Sequence, residues 1–204
     1  LAYALTAFTN LGSGKAPQSF RELSDGDYIY LELEETANID KVMFYAGINV
    51  GSYALELSED GINYHLAVIM EQSYAELLRW HSHELEAVGE NVRFARLSSV
   101  SGRPRMGELA FYSSGTYLAY SSPEPALNDE SGIIPAYYDY FNGSYFDEIY
   151  HVRTAIEHME AMNPYEISHP PLGKLIISIG IWLFGITPFG WRFMGTLLGV
   201  LMLP

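Results

Sequence analysis

The chain has 204 residues, 49% of them apolar, and a formal net charge of −14. The apolar share excludes a disordered acidic chain, and the acidity excludes nucleic-acid binding through a general basic surface. The absence of cysteine excludes a disulfide framework and any cysteine-based zinc site or nucleophile. The charge is unevenly spread. Residues 1–170 hold all 25 acids, whereas residues 171–204 hold no acid and only Lys174 and Arg192 as bases.

In chain order, residues 1–19 are predicted to be the end of a first transmembrane helix and a linker. Their apolar start, Leu1–Phe8, is far shorter than the roughly 20 residues of a membrane span. It reads either as the end of a span begun earlier or as a buried first strand. Residues 20–118 are predicted to form a β-sandwich. Alternation of period two runs through Tyr28–Leu33, Lys41–Tyr45, Tyr53–Ser58, Val92–Leu97 and Gly107–Tyr112, with turn residues between the runs. In the fourth run Val92, Phe94 and Ala95 or Leu97 compete for the inner face. Tyr74–His83 reads as a short helix or irregular connection. His81 and His83 share a face if that stretch is a strand, but two histidines without a third ligand are more often surface residues than a metal site.

Leu57-Ser-Glu-Asp-Gly-Ile-Asn-Tyr64 places Asp60-Gly61 at a tight turn between strands. With Val92–Leu97 and Glu108–Tyr112, this stretch resembles the discoidin-like, galactose-binding-like sandwich over about residues 20–115. The resemblance implies a jelly-roll fold and a glycan ligand held by loops at one end, or a structural insert that contacts protein.

Residues 119–144 are predicted to be a linker, since Ser121-Ser-Pro-Glu-Pro-Ala cannot continue a strand ladder. Residues 145–187 carry the chemistry. From Asp147 the pattern becomes helical, with Ile149, Val152, Ile156 and Met159 on one face. Asp147 lies near the positive end of the helix dipole. His151, four residues on, shares its face, while Glu148 points about 100° away. Pro164-Tyr-Glu-Ile-Ser-His169-Pro-Pro-Leu-Gly-Lys174 follows, and Pro171 suits the first turn of a new helix. Leu175–Trp191 has no charge but is interrupted by Gly185 and Pro188, which leaves a helix too short to span and suited to an interface. Residues 188–204 read as the start of a transmembrane helix cut by the end of the chain, or as part of a buried helical hairpin. Trp191 and Arg192 lie at its water interface, and Gly195 and Gly199 form a small-residue pair for close helix packing.

Asp147-Glu148-Ile-Tyr-His151, then His169-Pro-Pro-Leu-Gly-Lys174, then Phe184-Gly and Pro188-Phe-Gly-Trp-Arg192 are similar to the protein O-mannosyltransferase family, polytopic membrane enzymes of the GT-C fold. The resemblance covers residues 137–204. It implies an inverting transfer of mannose, or a related sugar, from polyprenyl- or dolichyl-phosphate to a Ser/Thr hydroxyl of an acceptor protein. It further implies that residues 12–190 are extracytoplasmic on an integral protein of a bacterial cell membrane, in contact with membrane lipid, with the sandwich inserted in the first outer loop. Under the resemblance Asp147 is the catalytic base and Glu148 orients acceptor or base. His169, Arg192 and Lys174 are the donor-phosphate ligands, unless Lys174 only snorkels to the interface. His151 and Arg153 support them. No cofactor is implied beyond the lipid-linked donor, and no divalent metal is expected at Asp147-Glu148. A sandwich that binds carbohydrate or protein on a membrane anchor, without catalysis, is the alternative. A soluble hydrolase using Asp147 and Glu148 is weaker, because adjacent helical residues diverge and would not flank one bond.

Overall fold

The computed structural model describes residues 2–85 and 90–203; Leu1 and Pro204, the ends of the two apolar segments, lie outside them. The chain divides into two compact units, residues 19–134 and residues 1–18 with 135–204.

The first unit is a β-sandwich. Its strands are β1 (Arg21–Glu22), β2 (Tyr28–Ala37), β3 (Lys41–Ala46), β4 (Gly51–Ser58), β5 (His65–Gln72), β6 (Arg79–Glu84), β7 (Val92–Gly102), β8 (Arg105–Ser113), β9 (Thr116–Leu118) and β10 (Tyr120–Ser121). One sheet runs β1-β8-β3-β6 with β9 on β8, the other β10-β2-β7-β4-β5, all paired antiparallel. Alternation in β2 turns Ile29, Leu31 and Leu33 inward and Tyr28, Tyr30 and Glu32 outward. These side chains meet Val42 and Phe44 of β3, Tyr53, Leu55 and Leu57 of β4, and Leu109 and Phe111 of β8 in one core.

All five alternating runs are strands, and five further strands, the short β1, β9 and β10 and the longer β5 and β6, were not among them. β5 is an edge strand whose residues are mostly exposed or half-buried, so it lacks a clean inner face. The predicted helix or irregular connection at Tyr74–His83 is one 3-10 turn, Tyr74–Glu76, followed by β6. There Trp80 and His81 are adjacent and both buried, which erases the period-two signal. His81 and His83 stack on Phe44 at 4.9 and 5.9 Å, so they pack the sheet. Burial lowers the pKa of both rings. In β7 the inner residues are Val92, Ala95 and Leu97. A register shift against β2, between Glu32 and Ala37, resolves the competition by breaking the alternation after Val92. Asp60-Gly61 forms the β4–β5 turn as predicted. Gly61 adopts φ +74°, and the Asp60 carboxylate accepts from the Ile62 and Asn63 amides, which holds its pKa well below the usual carboxylate range.

The stretch predicted as linker from residue 119 begins inside the sandwich. β10 pairs with β2, Tyr120 donates its hydroxyl to Leu109 O and Leu127 O, and Leu127 lies in the core. Proline does stop the ladder here, but Tyr120 and Leu127 still bury apolar surface.

The second unit is helical: α1 (Ala2–Phe8), α2 (Glu148–Met159), α3 (Pro171–Phe184) and α4 (Pro188–Leu201). Leu1–Phe8 is therefore not a buried strand over its described residues; Ala2–Phe8 is helical, with Tyr3 and Leu5 exposed. Ile149, Val152 and Ile156 of α2 are buried as the spacing predicts, whereas Met159 in the last turn is exposed. α3 and α4 are 14 residues each, broken at Gly185–Thr187. Among the described residues no helix is long and apolar enough to cross a membrane. The small pair expected to pack helices, Gly195 and Gly199, has open space where a Cβ would be. Gly180 and Gly190 make the close approach instead: a Cβ on Gly180 would lie 2.3 Å from Gly190 O.

Candidate functional site

Two segments of the helical unit, α4 and residues 164–170, converge on α2. Phe146, at φ +50°, turns the chain into the helix. Asp147 then occupies the N-cap position but makes no side-chain cap bond. Its exposed carboxylate has no hydrogen-bond partner among the described residues. The first helical amides donate instead to the Tyr145, Phe146 and Asp147 carbonyls, and Glu148 Oε2 accepts from the Tyr145 amide ahead of the helix at 3.0 Å.

Glu148 is otherwise occupied by α4. Arg192 donates Nε to Oε1 and Nη2 to Oε2, both at 2.6 Å, and Trp191 Nε1 donates to Oε2 at 3.2 Å. The same guanidinium donates to Leu11 O and Gly143 O, each at 3.0 Å. A planar fork between a carboxylate and two carbonyls is the arrangement arginine fits and lysine does not. Glu148 and Arg192 are thus each other's partners. The divergence of Asp147 and Glu148 read from helical geometry is real. Asp147 is open beside His151, while Glu148 is locked to α4.

The second converging segment is 164–170. It is moored to α2 by two buried groups that sequence reasoning missed. Glu157 accepts from the Tyr165 amide at 2.6 Å and from Arg153 Nε at 2.7 Å, and Thr154 Oγ1 accepts from the Glu166 amide at 3.2 Å. Arg153 also covers the Tyr165 ring at 4.3 Å, so its support is to the loop's position. The mooring brings His169 edge-on to His151, with ring centroids 5.2 Å apart.

Glu166 was also missed. Its carboxylate pairs with Lys174 and His169 Nδ1 and accepts from the Ser168 amide and hydroxyl and the His169 amide at 3.1 Å. The Lys174 ammonium, and then Ser168 and His169, hold this carboxyl well below the usual carboxylate range. Lys174 does not snorkel. It is 3% exposed and donates to Glu166 O at 2.6 Å and His169 O at 3.3 Å. A signal was available in the sequence. A lone lysine at the head of a charge-free helix needs an acid within reach once buried, and Glu166 precedes it by eight residues.

Asp147, Tyr150, His151, Tyr165, Glu166 and His169 line a cavity of about 550 Å³. A second, of about 540 Å³, is lined by Asp147, Glu148, His151, Trp191 and Arg192 among others. The expected site residues therefore lie together in one unit, with Asp147 and His151 common to both cavities. Of the three expected phosphate ligands, Arg192 and Lys174 are ion-paired to carboxylates, and His169, whose Nδ1 faces Glu166 and Ser168, keeps its Nε2 open among the described residues. Asp147 and two imidazoles line the first cavity, and Asp147, His151 and the neutralised Arg192 line the second, groups that can deprotonate a hydroxyl and receive an anion.

No protein-family model matches the chain. It is 53% identical over 36 residues to the polyprenol-phosphate-mannose–protein mannosyltransferase of Mycolicibacterium smegmatis, and 56% identical over 36 residues to that of Mycobacterium tuberculosis. The one from Corynebacterium glutamicum is 49% identical over 35 residues. These matches take in 17–18% of this chain and 7% of the length of each relative. Among solved structures, CpGH89CBM32-6 produced by Clostridium perfringens is similar at TM-score 0.39 and 20% identity, over 52% of this chain and 84% of that one. A pectin-binding carbohydrate-binding module is similar at TM-score 0.41 and 14% identity, over 52% and 80%.

Proposed function

We propose that the chain is a piece of an integral membrane glycosyltransferase that moves mannose from a polyprenyl phosphate to the Ser/Thr hydroxyl of an acceptor protein on the outer face of a cell membrane. The observation that carries this reading is an exposed Asp147 carboxylate, without a partner among the described residues, that lies with His151 on two cavities, one lined also by His169 and the other by Arg192. The short match to mannosyltransferases that use polyprenol-phosphate-mannose supports the donor class.

In the proposed reaction Asp147 takes the proton of the acceptor hydroxyl. The oxygen attacks the anomeric carbon from the face opposite the phosphate, the C1–O bond to phosphate breaks, and the configuration inverts. The polyprenyl phosphate leaves as an anion, stabilised by His169 and by the guanidinium of Arg192, for which it competes with Glu148. Lys174 acts through Glu166, fixing the loop that presents His169. α3 offers lipid an apolar face: Leu172, Leu175, Ile179, Trp182 and Leu183 recur at helical spacing and are all exposed, Trp182 by 76%.

This reading requires Arg192 and Asp147 on the same side of the membrane. Cysteine-accessibility labelling of the full-length protein in sealed cells should place positions 147 and 192 both outside. A cytoplasmic position 192 would sink the proposal. A sandwich that only binds ligand would show no transfer in the full-length protein.

A further inference from the structure

The cluster at the 164–170 loop holds two imidazoles and a carboxylate. One ligand atom from each of His151, Glu166 and His169 lies within 4.8 Å of the others. The residues come from two segments, α2 and the loop moored to it. Neither ring nitrogen of His151 has a hydrogen-bond partner among the described residues, and neither does His169 Nε2. The Glu166 carboxylate is split by its surroundings: Oε2 faces the Lys174 ammonium, and Oε1, 3.2 Å from His169 Nδ1, accepts from the Ser168 amide and hydroxyl and the His169 amide, donors that a cation would displace in part.

We infer that His151, His169 and Glu166 bind a borderline transition-metal cation of the Zn²⁺ class. Two imidazoles and one carboxylate are the donor set such ions take with one position left open. Tetrahedral bonds of about 2.0–2.2 Å put donor atoms about 3.3–3.5 Å apart, so small side-chain rotations from the observed spacing close the site. The open position faces the cavity of about 550 Å³ that these residues line. The charge also suits a divalent ion. Asp147 lines the same cavity, so two carboxylates stand there against the one ammonium of Lys174. Alkaline-earth ions prefer six or more oxygen ligands and are not matched. The expectation of no metal at Asp147-Glu148 concerns another pair, whose Glu148 is taken by Arg192.

The inference does not depend on sugar transfer, and binding is read without substrate. The untagged 204-residue chain in detergent is titrated with Zn²⁺ by calorimetry and with Co²⁺ by visible absorption. We expect one equivalent bound, with the intense d–d bands of a low-coordinate site. His151→Asn and His169→Asn should each weaken binding at least tenfold, and Glu166→Gln likewise, with near-ultraviolet circular dichroism unchanged for His151→Asn. The paired variant His81→Asn/His83→Asn in the sandwich should bind as the parent does. No binding by the parent chain, or binding that survives His151→Asn and His169→Asn, would overturn the assignment. Loss of metal with His81→Asn/His83→Asn would do so as well.

Discussion

Asp147 and Glu148 are adjacent in sequence and opposite in circumstance. Glu148 accepts hydrogen bonds from the Tyr145 amide, Trp191 and both edges of the Arg192 guanidinium, so its loss leaves a largely buried cation without its carboxylate. Breaking one side of such a pair costs more than the pair contributes. Glu148→Gln is expected to lower stability by about 2–3 kcal/mol, allowing for its partial exposure. Urea unfolding followed by tryptophan fluorescence would show this, because Trp191 is itself a partner of Glu148. Equal stability of Glu148→Gln and the parent would mean the pair is not structural. Within the sandwich, Glu108 is fully buried with its Oε2 accepting from the Glu130 amide, and burial raises its pKa to about 8. The folded protein holds this proton where the unfolded chain has already released it. Stability therefore falls as pH rises from the ordinary glutamate value to about 8, by up to about 1.4 kcal/mol per unit, and levels off above. Glu108→Gln should remove that slope and be the more stable form at pH 8, as read by urea midpoints across pH.

Elements differ in how much of them a sequence exposes. β2 was legible because one face is buried and the other wet, so its alternation survives in the chain. β3 and β6 carry consecutive buried residues, Val42–Ala46 and Trp80–His81; the run Lys41–Tyr45 was read as a strand although its burial does not alternate, and β6 was not. The 3–4 spacing of α2 and the breaks at Gly185 and Pro188 gave the helices their places. Close helix packing was not legible, since the sequence offers several small residues and only tertiary contact selects among them. Gly180 meets the Gly190 carbonyl, while Gly195 meets nothing. Gly180→Ala should therefore destabilise the α3–α4 pair by about 1–3 kcal/mol, and Gly195→Ala should stay within about 0.5 kcal/mol of the parent. Thermal unfolding in detergent compares the two directly; a neutral Gly180→Ala would contradict the observed approach. The site shows the same division. Asp147, His151, His169 and Arg192 were named from their motifs. Glu157, Thr154 and Glu166 were not, because their role is to satisfy backbone amides of a loop whose path no local pattern encodes.

At the scale of the whole molecule the uneven charge finds its explanation. The sandwich carries most of the acids as outward residues, often paired, as in Glu56 with Arg96 and Glu32 with Arg93. The two bases of the last 34 residues are not solvent charges at all: Lys174 and Arg192 each neutralise one acid of the helical unit, Glu166 and Glu148. That leaves Asp147 as the uncommitted carboxylate of the constellation. The central claim is that this carboxylate deprotonates the acceptor. It is tested by the full-length protein in detergent, supplied with polyprenyl-phosphate mannose and a Ser/Thr peptide, with the initial rate of transfer compared between parent and Asp147→Asn. Because the Asp147 carboxylate is exposed and has no hydrogen-bond partner among the described residues, the variant should fold as the parent does. The account predicts a rate lower by about 10²- to 10⁴-fold; a rate within a few fold of the parent would contradict it.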